Sequence, residues 1–289
     1  MTRYSRAVSS GLLAICLAVL LRPAACQADE TDQIAISYVE PESEELRPAY
    51  LEIRNREVLE QLRTFLSPLR LPRRLSLQAK QCGSDSKDYQ PGGPVIICYE
   101  EVRRIAEVLP VENEILLGPG ATTGENRGRL RKDDLIVAPI VMITLQKAAL
   151  AIFDILDVPV WGNAEEAANR LAGYLMTQFG DQVAWKALMG SAWYLAQTTS
   201  SGVGTDFYYV RDPEAHQFYG ILCMAYASDP KSFGFLVRNL DIPGTRVEKC
   251  TEDFVRVQQA FDATILPHVD QLLLQKVRAM PWLPDIKRK

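Results

Sequence analysis

Apolar and polar positions in the first third of the chain alternate with two different periods. Gln33 to Val39 reads as an extended strand, and from Ala49 to Leu66 the apolar residues Leu51, Ile53, Val58, Leu59, Leu62, Phe65 and Leu66 recur at helical spacing. Leu75 to Ala79 returns to a two-residue period. A turn-rich stretch through Gly93 leads to the apolar run Val95 to Tyr99, so the two strands are expected to form a hairpin. A helix is expected over Glu100 to Val108. Leu117 to Gly128 is rich in glycine, but it lacks the Gly-Lys-Ser/Thr ending of a phosphate loop and reads as a surface loop.

From Val137 onward the pattern is helical. Ala138 to Leu156 is apolar on nearly every side, which predicts a central buried helix. Further helices are expected over Glu165 to Phe179, Gln182 to Thr198, Pro213 to Ala227, a short one from Asp229-Pro230, Glu252 to Thr264, and Val269 to Met280. No internal repeat or long linker interrupts the chain. The expectation is one α+β domain over residues 29–289, mostly helical with a small N-terminal β-sheet.

Residues 1–28 change the picture of where the chain goes. Arg3 and Arg6 precede an apolar run from Gly11 to Leu21 and small residues around Ala28, the layout of a secretory signal peptide. The run of about 11 residues is too short for a membrane span of about 20, and no transmembrane helix is expected. A lipoprotein attached through Cys26 is the alternative to a periplasmic or secreted product. Removing this segment takes three arginines and no acid from a chain of net charge −4, leaving −7. That balance argues against nucleic acid as a partner. The basic clusters, Arg70 with Arg73 and Arg74, and Arg127 to Lys132, read as solvated loop charge. Four cysteines remain, Cys82, Cys98, Cys223 and Cys250, and an even number in an exported chain implies two disulfides with three possible connectivities. Sequence order favours Cys82–Cys98 and Cys223–Cys250, while the lack of Cys-x-x-Cys spacing makes a zinc ribbon a poor alternative.

The candidate chemistry lies in Ile143 to Val160. In zinc peptidases a His-Glu-x-x-His run places two imidazoles at i and i+4 on one helix face and a Glu beside them to activate water. With its Asp154-x-x-Asp157-x-Pro159-Val160 exit, Tyr219-x-x-x-Cys223 and Ala227-Ser228-Asp229-Pro230, the chain resembles a bacterial metallopeptidase family of unknown function, zincin-like and exported. The resemblance spans roughly Ile34 to Val269. It implies a zincin-like fold, cysteines at both pairs of positions, and a site in which Gln146 and Leu150 replace the two histidines and Lys147 the general base. It further implies that Glu165 keeps the third-ligand position and that Asn169 stands where an acid would orient a ligand imidazole.

Those replacements remove the chemistry. An amide, an ammonium and a hydrocarbon supply neither two imidazoles nor a carboxylate base. The chain holds only two histidines, His216 and His268, both far downstream. No catalytic residue, no zinc and no other cofactor is expected. The expected function is that of a catalytically inactive pseudopeptidase that binds a peptide or protein. The alternative is an active hydrolase working from a non-standard site in the same cleft, with acids such as Glu165 and Glu166 in play. Lys147 is expected to fill the emptied metal position and pair with Glu165 or Glu166.

Overall fold

The computed structural model describes residues 33–83, 89–117, 128–199, 213–239 and 244–281, which all belong to one compact unit. The signal-peptide segment and most of the glycine-rich loop lie outside them. The architecture is α+β and mostly helical, with a small sheet near the N-terminus.

Three strands, β1 (Ile34–Tyr38), β2 (Leu75–Lys80) and β3 (Val95–Cys98), form a sheet in that order. Strand β2 alternates buried and half-buried residues, with Leu75, Leu77 and Ala79 inside, as its two-residue period requires. All pairings are parallel: Ile34 lies opposite Leu75, and Lys80 opposite Cys98. The expected hairpin is therefore wrong. The physical reason lies in the Cys82–Cys98 disulfide, whose Cα atoms are 5.5 Å apart. Both cysteines sit at the C-terminal ends of their strands. An antiparallel hairpin would have set Cys82 beside the start of β3 and Cys98 at the far end. The chain between β2 and β3 instead returns along the sheet, and Tyr89 and Gly92 in that return hydrogen-bond Asp154.

The helix expected over Ala49 to Leu66 is two, α1 (Arg47–Asn55) and α2 (Val58–Leu66). Glu57 breaks them with φ +51°, a conformation that costs a non-glycine residue roughly 1 kcal/mol or more. Beside the break, Arg56 is drawn into the interior (1% exposed) and held by Glu52 and Asp133 at 2.6 and 2.8 Å. The buried ion cluster fixes the kink, which apolar periodicity does not register. Helix α3 (Tyr99–Glu107) follows β3 directly, with Glu101 accepting from the Cys98 N–H at its first turn. A two-stranded antiparallel ribbon, β4 (Glu114–Leu116) and β5 (Arg129–Arg131), was not foreseen; its three-residue strands are too short to show a period.

Helix α4 (Lys132–Ile155) is the axis of the molecule, packed on β2 and β3 on one side and on α5 (Ala164–Met176) and α6 (Asp181–Thr198) on the other. By length and composition it could cross a membrane, but 83% of its apolar window is buried within the fold. Gly190 of α6 explains how closely α6 approaches: a Cβ there would meet the Ala138 Cβ at 2.7 Å. Helix α4 ends with Asp157 at φ +50° and the Val158 N–H on the Phe153 carbonyl, a left-handed cap that Asp tolerates better than most residues. The Asp-x-x-Asp-x-Pro exit is thus a helix stop, in which Asp154 clamps the sheet connection and Asp157 turns the chain.

Helices α7 (Pro213–Ser228), α8 (Pro230–Asn239), α9 (Gly244–Thr264) and α10 (Gln271–Arg278) complete the described fold. The second disulfide, Cys223–Cys250, joins α7 to α9. Both expected cysteine pairs are therefore formed, and they suggest an oxidising, extracellular type of environment.

Candidate functional site

Gln146 and Lys147 are neighbours on α4, and a helix turns about 100° between them. That rotation sends them to different parts of the molecule. Gln146 faces α5 and α7: its Oε1 accepts from the Gln217 side-chain amide at 3.2 Å, and the same Gln217 nitrogen donates to Asn169 Oδ1 at 2.9 Å. One NH2 group with two hydrogens thus serves two carbonyl oxygens in a neutral network. Asn169 and Gln146 are thus brought together on one donor. Gln217 was not singled out from the sequence; the signal available was its place beside His216 on a helix matching the family.

Lys147 points the other way, into the seam between α4, β3 and α3. Its ammonium contacts both Glu101 oxygens at 2.9 Å and the Ile96 carbonyl at 3.1 Å, with the two side chains only 9% and 16% exposed. The expected pairing with Glu165 or Glu166 is therefore incorrect. Glu165 and Glu166 sit in the exposed first turn of α5, where Asn163 caps their backbone N–H groups, and Glu166 pairs with Arg170 at 2.5 Å. Among the described residues no hydrogen bond joins either carboxylate to Gln146 or Lys147. The partner Lys147 takes is 46 residues upstream, and only the capping position of Glu101 hints at it. Glu101 thereby serves two donors, the Lys147 ammonium and the Cys98 N–H.

Leu150, one turn beyond Gln146, is half-buried and adds hydrocarbon to the core. Glu166, Asn169, His216, Gln217, Cys223 and Asp253 contribute to a recess of ≈ 70 Å³ beside the amide network, room for a few waters and no more. His216 is exposed and His268 lies exposed in a short 3-10 turn, Leu266–His268. Trp161, in the turn between α4 and α5, is 95% exposed.

The basic clusters are largely neutralised. Arg70 pairs with Asp270, Arg73 with Asp154, Arg129 with Glu114 and Arg131 with Asp134. The reading as solvated loop charge is therefore corrected in part, because Arg129 and Arg131 belong to strand β5, Lys132 opens α4, and the arginines named are held in ion pairs.

A protein-family comparison decides the lineage. Residues 38–265 match the model of the family DUF4344, described as "Putative metallopeptidase". The chain belongs to this family. No curated protein matches the chain, and no solved structure does. The metal that such a family implies can be tested against the residues present: Gln146, Lys147 and Leu150 offer an amide, a committed ammonium and a hydrocarbon, which do not fit zinc. Among the described residues the group of potential ligand atoms close enough to share an ion is Cys82, Cys98 and Glu100, and its two sulfurs are bonded to each other. Glu100 has a different task. Burial would raise its carboxyl, but the N–H groups of Gly83 and Cys82 outweigh that and hold it below the usual range, bracing the disulfide from outside.

Proposed function

We propose that this member of the family is an exported, catalytically inactive pseudopeptidase, released by removal of residues 1–28, whose single domain over 29–289 works by binding a peptide or protein segment rather than by cleaving it. The amide network of Gln146, Gln217 and Asn169 carries this reading. The side chains joined at the expected metal position are neutral amides that bond one another, which supplies no carboxylate at the general-base position and no pair of imidazoles to hold a metal. Trp161 supports a binding role, because a nearly fully exposed tryptophan in the turn that joins α4 to α5 is the kind of rigid aromatic group that anchors interfaces. The recess itself is too small to swallow a side chain, so a partner would be gripped across the surface around it.

A second reading keeps catalysis in the same cleft without zinc. It rests on Glu166, His216 and Asp253 lining one recess, two carboxylates and an imidazole within a small volume. The two readings separate in one experiment. Purified protein lacking residues 1–28 is analysed for bound metal by mass spectrometry and incubated with a broad peptide library. Substoichiometric zinc and an intact library are the results the binding reading requires. Chelator-sensitive cleavage with one zinc per chain would overturn it, and metal-independent cleavage abolished by His216→Ala would establish the second.

A further inference from the structure

Trp161 is 95% exposed, whereas every other aromatic side chain among the described residues is buried or half-buried. Among those residues no second ring stacks on its indole and no cation lies over it. The space beside it is open as well, since a Cβ at Gly162 would meet nothing within 4 Å. The segment that presents the indole is held at both ends. Asp157 turns the chain at φ +50° with the Val158 N–H on the Phe153 carbonyl, Pro159 has a fixed φ, and Asn163 caps α5 by accepting from the N–H groups of Glu165 and Glu166. The indole is thus offered on a set backbone, and little conformational freedom is lost when a partner covers it.

The charges around Trp161 select the kind of partner. Asp154 is committed to Arg73 and Glu166 to Arg170. Asp157 and Glu165, each four residues from Trp161, are exposed, and among the described residues neither carboxylate has an ion-pair partner. The net charge of the whole chain, −4, adds a field of the same sign. An indole face attracts a cation held within about 6 Å of its centre, and the two open carboxylates that flank it along the chain attract the same group. An anionic partner would be repelled. A purely apolar one would take the carboxylates out of water without pairing them. A guanidinium suits both features, because it stacks flat on an aromatic face and pairs with a carboxylate through two parallel hydrogen bonds.

We infer that the turn between α4 and α5 is a docking surface for an arginine-bearing peptide segment, with Trp161 covering the guanidinium and its hydrocarbon stem, and with Asp157 and Glu165 pairing with that side chain or its neighbour. This assignment rests on the reading of the protein as a binder of peptide or protein segments, and it names the class of segment bound.

The test uses the peptide acetyl-Ala-Arg-Ala-Arg-Ala-amide and its counterpart with citrulline at both arginine positions, a neutral side chain of the same shape. Each is titrated into isotopically labelled protein lacking residues 1–28 and followed by NMR. The arginine peptide should shift the Trp161 indole N–H saturably, with Kd on the order of millimolar or below, and the citrulline peptide should bind at least tenfold more weakly. Trp161→Ala should weaken binding of the arginine peptide about tenfold. Asp157→Asn, which suits a left-handed backbone, and Glu165→Gln should each weaken it roughly two- to fivefold, an effect that shrinks as salt is raised. Equal binding of the two peptides, an unmoved Trp161 signal, or undiminished binding by Trp161→Ala overturns the inference. So does a Trp161 shift that follows protein concentration alone, which would make the surface a contact between copies of this chain. Should a variant melt below the parent, the comparison of the two peptides on the parent decides. Mass spectrometry of the recovered peptides separates the two levels of failure: cleaved peptide would overturn the binding reading itself, whereas intact peptide that leaves Trp161 unmoved overturns this assignment alone.

Discussion

Position 146 and position 147 of one helix make an instructive contrast. On the Gln146 side, helices α4, α5 and α7 meet through three uncharged amide side chains that are half-buried. On the Lys147 side, a nearly dry ammonium is locked to Glu101 and to the Ile96 carbonyl of the sheet. Two structural solutions thus stand a single residue apart. The first is cheap and adjustable, because neutral amides exchange readily with water. The second is costly to disturb, because removing one partner strands a charge in a low-dielectric seam.

The contrast is broken most severely by Lys147→Glu, which puts a carboxylate where the resemblance has a general base and sets it against Glu101. It should destabilise the protein more than Lys147→Met, whose own cost is about 3–5 kcal/mol for an orphaned buried charge. Lys147→Met should lower the melting temperature by roughly 10 °C at about 2–4 °C per kcal/mol, and the swap Lys147→Glu with Glu101→Lys should regain most of the loss caused by Lys147→Glu. Unchanged melting of Lys147→Met would remove the ion pair from the account of stability. Next in size is the adjoining disulfide: Cys82→Ser with Cys98→Ser should cost about 3 kcal/mol by chemical denaturation for a loop of this length. Because Glu101 also holds the Cys98 N–H, a double-mutant cycle between this change and Lys147→Met should be non-additive.

The amide side should respond more mildly. Gln217→Leu is expected to cost about 1–2 kcal/mol, and adding Gln146→Leu should cost less than that substitution does alone, since its acceptor has already lost its donor. Equal and additive losses on denaturant melts would mean that the three amides do not act as a unit. The smallest effect concerns acid. The Asp154 carboxyl is held below its usual range, chiefly by the Tyr89 hydroxyl and then by the Gly92 N–H and Arg73. A carboxyl depressed by folding stabilises the native state above its unfolded pKa of about 3.9, and that contribution disappears as the pH falls through the folded value. Asp154→Asn should therefore lose less stability than the parent between pH 5 and pH 3, measured by urea midpoints.

Much of the fold could be read from residues alone. The helices from α4 onward follow from periodicities long enough to count, and both disulfides follow from the sequence order of four cysteines. Strand direction did not, because Leu75 to Ala79 and Val95 to Tyr99 look the same whether the chain turns back or returns along the sheet; only the placement of Cys82 and Cys98 at matching strand ends distinguishes them. The break at Glu57 escaped because Arg56 answers to Asp133, 77 residues away. At the site, the uncharged character of positions 146 and 150 was legible, while Gln217, which joins Gln146 to Asn169, was not. The partner of Lys147 was not, because a helix register says which residues share a face but not which face meets which neighbour.

Helix α4 has one more consequence, for the journey rather than the destination. A chain threaded unfolded through a membrane presents each segment to lipid before the core exists to bury it, and α4 is long and apolar enough to stay there. A lysine near the centre of such a segment costs about 2.5–3.5 kcal/mol on insertion scales, enough to tip the segment back toward passage. Lys147→Leu, expressed with residues 1–28 in place, should leave a larger fraction of the protein pelleting with membranes and resisting carbonate extraction. With export as proposed, the residue that closes the seam between helix and sheet would also keep the helix from being mistaken for a membrane anchor.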